Sequence, residues 1–387
     1  MKVLFVASGN KKGAGQVNSF VQSQYDSLKK EGLEMRMVGT EGKGVKAYLR
    51  AAWKLRKMIR AERPDVVHGH YSLCGWVANI ACFGLCKKPK IVVSILGSFP
   101  TKGKKWKLVR WSIRHLWDAT IVKSQRTASQ LGLPVNIIPN GVNLEIFQTQ
   151  DNAAARKAVG FEAGKKYIIW CSNPERPEKD WALAQAAVEL LEENIENKIE
   201  NNNDSLTPKE ESQVTCSNSN SFDPQSAQKQ AFGQPDAQSY SDTDKSYPLD
   251  SSEKNNQKNV SLSKKVELIA VYNKTPQEVC AYMNAADCLL LTSVSEGSPN
   301  VIKEAMSCNC PIVTTNVGDV TERLENLEGC YVVDSREPKE LAEAIRKSLE
   351  FGTRTDGRKR IIADQLEIGQ IAKRIEAIYD EITKKQK

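Results

Sequence analysis

Histidine is scarce: the 387-residue chain holds three, His68, His70 and His115. Its ten cysteines have no paired spacing, and the closest two, Cys308-x-Cys310, lack both a second pair and a neighbouring histidine. That argues against a zinc centre. Cys82, Cys171 and Cys288 lie in apolar runs and read as small core residues. No apolar run approaches the roughly eighteen residues of a spanning helix, and no charged-then-apolar leader precedes Val3. The expectation is a cytoplasmic protein, peripheral at most on the inner face of the cytoplasmic membrane. The dinucleotide signature Gly-x-Gly-x-x-Gly is missing too. Gly13-Ala14-Gly15 opens a helical pattern, but position 18 is Asn, which disfavours a nicotinamide cofactor. Finally, acidic residues are absent from Val66 to Trp117, where nine basic residues between Lys87 and Arg114 contribute to a formal charge of +8.

What is present is a repeated grammar. The length suits two domains. In the first half, strand patterns at 3–7, 33–38, 65–68, 90–96, 118–122 and 136–139 alternate with helical ones, notably 17–30, 45–61 and 73–85. The second half restarts after Gly164, with strands at 167–171, 266–270, 288–292, 311–315 and 331–333 and helices at 181–193, 276–284 and 341–349. Such alternation implies parallel sheets covered on both faces. The stretch 195–262 is dominated by Asn, Ser, Gln and charged residues; it cannot bury enough apolar surface to offset its ordering entropy and reads as a disordered insert. The expected organisation is a first domain at 1–160, a second at 161–365 carrying that insert, and a final helix at 366–387. Ile368, Ile371, Ile375, Ile378 and Ile382 form one apolar stripe in that helix.

The most informative segment is Ser295-Glu296-Gly297-Ser298-Pro299-Asn300-Val301-Ile302-Lys303-Glu304-Ala305. Glu296 follows a buried strand, and Pro299 suits a first helical position. Glu304 falls about two turns into the helix that Val301, Ile302, Ala305 and Met306 define. Free N–H groups at such a helix start can hold an anion or sugar oxygens, and strand ends of a parallel sheet are where open α/β folds place ligands. A second candidate is Asn173-Pro174-Glu175-Arg176-Pro177-Glu178-Lys179, after the first strand of the second half. Its basic pair can neutralise a diphosphate leaving group. His68-Gly69-His70 follows another strand.

Glu-Gly-Ser-Pro-x5-Glu-Ala, followed by Pro311-Ile312-Val313 and Val317-Gly318-Asp319, resembles the acidic signature of the family 4 glycosyltransferases of the GT-B fold. The resemblance implies two doubly wound Rossmann-like domains facing across a cleft, and a retaining, metal-independent hexosyl transfer from a nucleotide diphosphate sugar to a glycan or lipid-linked hydroxyl acceptor. It implies that Lys179 and Arg176 grip the diphosphate and that Glu304 anchors the ribose. Glu296, Gly297, Ser298, Pro299 and Asn300 would meet the transferred sugar, and Gly15 would lie near the donor phosphates. His68, His70 and Ser98 would lie on the acceptor side, with Ser98 or His70 a candidate for part of the role of a family histidine that Leu96 or Gly97 displaces here. Pro174 stands where the family commonly has its arginine, so Arg176 would substitute from within the loop. Ile138-Pro139-Asn140-Gly141-Val142 resembles the family's interdomain junction, and the last helix would cross back to the first domain. A phosphorylase or epimerase of the same fold, or a silent membrane- or polymer-binding protein, are the competing readings.

Within Lys102–Trp117, Trp106, Val109, Ile113 and Trp117 share one helical face, while Lys107, Arg110, Trp111 and Arg114 share the opposite one. A tryptophan among cations suits an anionic membrane surface. No nucleic-acid module is recognisable.

Overall fold

The computed structural model describes residues 1–8, 19–40, 44–96, 103–204 and 266–384, with the backbone alone over 196–204. By contacts the chain divides into one body of Met1–Glu193 with Lys264–Lys387 and a second of Asn194–Ser263. The sites below lie in the first body.

Its first sheet has six parallel strands in the order β2-β1-β3-β4-β5-β6. These are β1 (Lys2–Ser8), β2 (Glu34–Thr40), β3 (Val66–His70), β4 (Lys90–Ser94), β5 (Ala119–Val122) and β6 (Asn136–Ile137). Most are buried runs of Val, Ile and Leu, as strands covered on both faces must be. Helices α1 (Ser19–Lys30), α2 (Val45–Glu62), α3 (Ser72–Cys82), α4 (Lys104–His115) and α5 (Gln125–Leu131) connect them. Helix α6 (Asn152–Val159) leads to the second half.

The second sheet is also parallel, ordered β11-β10-β9-β7-β8. Its strands are β7 (Lys166–Trp170), β8 (Val266–Ala270), β9 (Cys288–Leu291), β10 (Ile312–Thr315) and β11 (Cys330–Val333). The helices are α7 (Trp181–Asp204), α8 (Pro276–Ala285), α9 (Asn300–Ser307), α10 (Val320–Leu324), α11 (Pro338–Phe351) and α12 (Gly357–Ala363). Helix α7 runs ten residues into the stretch read as insert, because a helix needs only local hydrogen bonds to continue. The rest of that stretch, 205–265, lies outside the described residues.

Helix α13 (Ile368–Lys384) buries Ile371, Ile375, Ile378 and Ile382 and packs on α1, in the first half. The junction is close: a Cβ on Gly141 would sit 2.7 Å from Cα of Ile368. Val142 and the segment before α13 exchange backbone hydrogen bonds, Val142 N to Leu366 O at 2.9 Å and Ile368 N to Val142 O at 3.0 Å. The C-terminal segment therefore acts as a strap, and one apolar cluster runs from Val3 and Phe5 through α13 to Ile302 and Met306.

Candidate functional site

The carboxyl ends of β7 and β9 come together. After β7 the chain makes a 3₁₀ turn, Pro177–Lys179, started by proline and ended by Asp180 in a left-handed conformation at φ 53°. The Thr292 hydroxyl at the end of β9 lies 2.9 and 2.8 Å from the carbonyl oxygens of Lys179 and Asp180, and accepts from Trp170 Nε1 at 3.0 Å. Val294 N donates to Glu178 O at 3.0 Å. So stitched, the turn places Lys179 Nζ in a salt bridge with Glu296, side chains 16 and 19% exposed, while Ser293 Oγ donates to Glu296 at 3.0 Å. Arg336, beyond β11, donates to the carbonyls of Thr292 and Ser293 at 3.0 and 3.1 Å and pairs with Asp180. It was not singled out in the sequence because nothing in its neighbourhood marks a site; only the fold brings it to this turn.

Arg176 is elsewhere. Its guanidinium pairs with Glu178 at 2.6 Å, both more than half or about half exposed, two residues away on the turn. The structure brings together Lys179 and Glu296 but not Arg176.

Helix α9 starts one residue later than its sequence suggests: Pro299 is the N-cap, at φ −67° and ψ 124°, so Glu304 is little more than one turn in. The loop before it is held from beneath by Lys303, a fully buried lysine. Lys303 Nζ donates to Ser298 Oγ at 2.7 Å and to the carbonyls of Ser298 and Pro299 at 3.4 and 3.3 Å. Ser298 Oγ in turn donates to Asp319 Oδ2 at 2.8 Å, which also accepts from Arg323. Burial pushes the Lys303 pKa down, opposed by Asp319. Gly318 closes the cradle at φ +61°; a Cβ there would meet the Gly297 carbonyl oxygen at 2.8 Å. Asn300 Oδ1 accepts from Asn140 Nδ2 at 3.0 Å, joining the loop to the first half.

Glu304 is partly exposed and makes no hydrogen bond to any described side chain. Burial among its neighbours, Cys171 included, raises its carboxyl to about 7, against a smaller opposing effect of Lys303. Beside Glu296 opens a cavity of about 180 Å³, lined by Gly318 on the second half and by Arg126, Thr127 and Gln130 on the first. Among the described residues no group of three or more His, Cys, Asp or Glu could hold a metal ion.

The acceptor-side residues are deeper than expected. His68 is fully buried; its Nδ1 lies 2.6 Å from the Tyr379 hydroxyl of α13 and its Nε2 2.8 Å from Ser94 Oγ. Both nitrogens are thus used inside the protein, and His68 fastens the strap rather than facing an acceptor. His70 is fully buried, stacked 4.5 Å from His68 and tilted against Phe5 at 4.6 Å, with neither nitrogen hydrogen-bonded. Burial and then the Lys123 charge depress the His68 pKa to about 3; burial, His68 and Lys123 lower that of His70, so both rings are neutral. The alternation of a strand points residues two apart to one face, and here that face is covered by α1 and α13 rather than by solvent. Lys123, just past β5, is a buried ammonium without a hydrogen-bond partner, its pKa lowered to about 7 by burial and by Lys303. Gly15 and Ser98 lie outside the described residues. On α4, Trp106, Val109 and Ile113 are buried and Lys107, Trp111 and Arg114 exposed, with Arg110 between.

Two doubly wound parallel sheets whose strand ends gather an ion pair, a buried-lysine-braced helix start and a proton-retaining carboxylate define a GT-B α/β protein. The Glycosyltransferase Family 4 profile matches residues 19–146 and the Glycosyl transferases group 1 profile residues 247–350. The chain belongs to the family 4 glycosyltransferases of the GT-B fold. A glycosyltransferase from Rickettsia africae ESF-5 is similar in structure, with 13% identity, 98% of each chain covered and a TM-score of 0.65. Sucrose-phosphate synthase from Thermosynechococcus elongatus gives 16%, 98% of each chain and 0.64. HepE from Anabaena, in complex with UDP-glucose, gives 13%, 98% of this chain, 100% of that one and 0.61. Among curated proteins no sequence match is found.

Proposed function

We propose that the chain transfers a hexose from a nucleotide diphosphate sugar to a hydroxyl of a glycan or lipid-linked acceptor, with retention and without a metal, at the cytoplasmic side of cell-surface glycan synthesis. The observation that carries this reading is the Lys179–Glu296 pair at the mouth of the second sheet. Each charge holds the other in place. An incoming diphosphate competes for Lys179, and Glu296, released, accepts from hydroxyls of the sugar. Glu304 accepts from the ribose, and the N–H groups at the start of α9 supply fixed dipoles to the donor. As the bond from the anomeric carbon to the phosphate oxygen breaks and the bond to the acceptor oxygen forms, the acceptor proton passes to the departing phosphate. That route needs no imidazole, in keeping with the burial of His68 and His70. The UDP-glucose bound to HepE supports a nucleotide-sugar donor. The exposed cations and Trp111 of α4 support contact with an anionic surface.

Donor hydrolysis and binding across UDP-, GDP- and ADP-sugars, in chelator, test the reading. One donor should be turned over, and Lys179→Ala should lower kcat/KM about 10²–10³-fold. Full turnover by both Lys179→Ala and Glu304→Gln would overturn it.

A further inference from the structure

The cations at the mouth of the second sheet already have carboxylates. Lys179 pairs with Glu296, Arg176 with Glu178 and Arg336 with Asp180. A diphosphate brings more than one negative charge, and these pairs offer it no net positive charge to match. Arg176, moreover, is turned to its own carboxylate on an exposed part of the turn.

A buried cation without a carboxylate lies in the first half. Lys123 follows β5, is 2% exposed, and its Nζ is bonded to nothing; the Phe20 ring is 5.6 Å away. It lines one closed cavity with Gln24 of α1 and Asn140 of the junction, and Gln24 Oε1 and Nε2 and Asn140 Oδ1 lack partners too. That cavity leaves no room for a water molecule, so hydration does not compensate the charge. An ammonium held in this way burdens the fold, and such groups gather at functional sites.

Its surroundings point to the start of α9. Asn140 Nδ2 donates to Asn300 Oδ1 at 3.0 Å, and Asn300 is the first residue of that eight-residue helix. Asn140 thus touches both the Lys123 cavity and the helix start. The charge of Lys303, braced beneath the same helix start, is felt at Lys123.

We propose that Lys123 is the second cation on the donor diphosphate, brought to it by the first half. Its four-carbon stem lets the ammonium turn from the cavity to the start of α9. There the diphosphate accepts from Lys123 and from the helix N–H groups together. The ligand supplies the anion that the fold withholds, and Lys179 and Lys123 hold it from the two halves of the chain. A chain with proline at position 174 and Arg176 turned aside thereby still neutralises its leaving group. The proposal rests on the donor reading above and adds a residue to it.

Titration of the full chain with UDP, GDP and ADP, each beside its monophosphate, tests it without turnover. The wild type should hold one diphosphate tighter than the matching monophosphate. Lys123→Met and Lys123→Gln should each weaken that diphosphate about tenfold or more and leave the monophosphate within about twofold, so that the preference is lost. The two variants should also remain folded, which a merely structural lysine would not allow together with a selective loss. Arg126→Gln, which removes an exposed cation from the wall of the cavity beside Glu296, should cost the diphosphate less. Undiminished diphosphate binding by both Lys123 variants, equal weakening of diphosphate and monophosphate, or a loss confined to Arg126→Gln would each remove Lys123 from the site. A wild type that binds none of the three diphosphates would instead bring down the donor reading itself, and this proposal with it.

Discussion

At the scale of residues, the ionisable groups differ most in whether the fold supplies a partner. Lys303 is buried but satisfied three times over, whereas the buried Lys123 ammonium has no hydrogen-bond partner and the half-buried Glu304 carboxyl has none among the described side chains. Glu304 keeps its proton in the folded chain up to about 7, while the unfolded group releases it near 4.5. The cost of its charge is therefore absent below about pH 4.5, grows across the window, and is complete above about pH 7. Glu304→Gln should stabilise the ligand-free protein by on the order of 1–3 kcal/mol above about pH 7 and not at all near pH 4, by chemical denaturation. Donor affinity should rise with pH through about 7 in the wild type and stay flat in that variant, because an ionised carboxylate accepts from ribose hydroxyls more strongly than a neutral carboxyl or amide does. Lys123 shifts the other way, from 10.5 to about 7. Its burden is present in full below about pH 7 and fades as pH climbs toward 10.5. Lys123→Met should add about 1–3 kcal/mol near pH 6 and progressively less above about pH 7.

At the scale of elements, α9 and its preceding loop behave as one unit clamped by Lys303 and Gly318. Lys303→Met would leave Ser298 Oγ and two loop carbonyls without their donor, costing about 2–4 kcal/mol. Gly318→Ala would force a Cβ onto the Gly297 carbonyl at a φ that side chains avoid. Both should raise the donor KM more than they lower kcat, measured by initial rates, and a shift confined to stability would refute the clamp. The long elements were legible from periodicity: eleven strand patterns and the helices at α1, α2, α8, α11 and α13 lie where apolar spacing puts them. Helices α5, α6, α10 and α12 went unread because each is eight residues or shorter and buries only one or two side chains, too few to leave a period. Nothing in the sequence around position 303 marks that lysine for burial; its ammonium is held by Ser298, which in turn bonds Asp319, 16 positions beyond the lysine.

At the scale of the whole molecule, the strap from Leu366 through α13 connects the two sheets through backbone pairing at Val142 and through the His68–Tyr379 contact. Tyr379 is fully buried and its hydroxyl is the partner of a buried imidazole. Tyr379→Phe should cost about 1–3 kcal/mol by leaving His68 Nδ1 unpaired, with nucleotide-sugar binding at the second sheet preserved; loss of that binding would mean the strap shapes the donor site itself. The sequence alone determined the alternating architecture and the isoleucine stripe of α13, because these rest on spacing within single elements, and it singled out Glu296, Glu304 and Lys179 through a family resemblance. Which residues meet was decided by the tertiary structure. Arg336 joins the Lys179 turn, Arg176 turns to Glu178, and both histidines of β3 vanish beneath α13. Such outcomes depend on which faces of separate elements cover one another, and spacing along the chain carries no information about that.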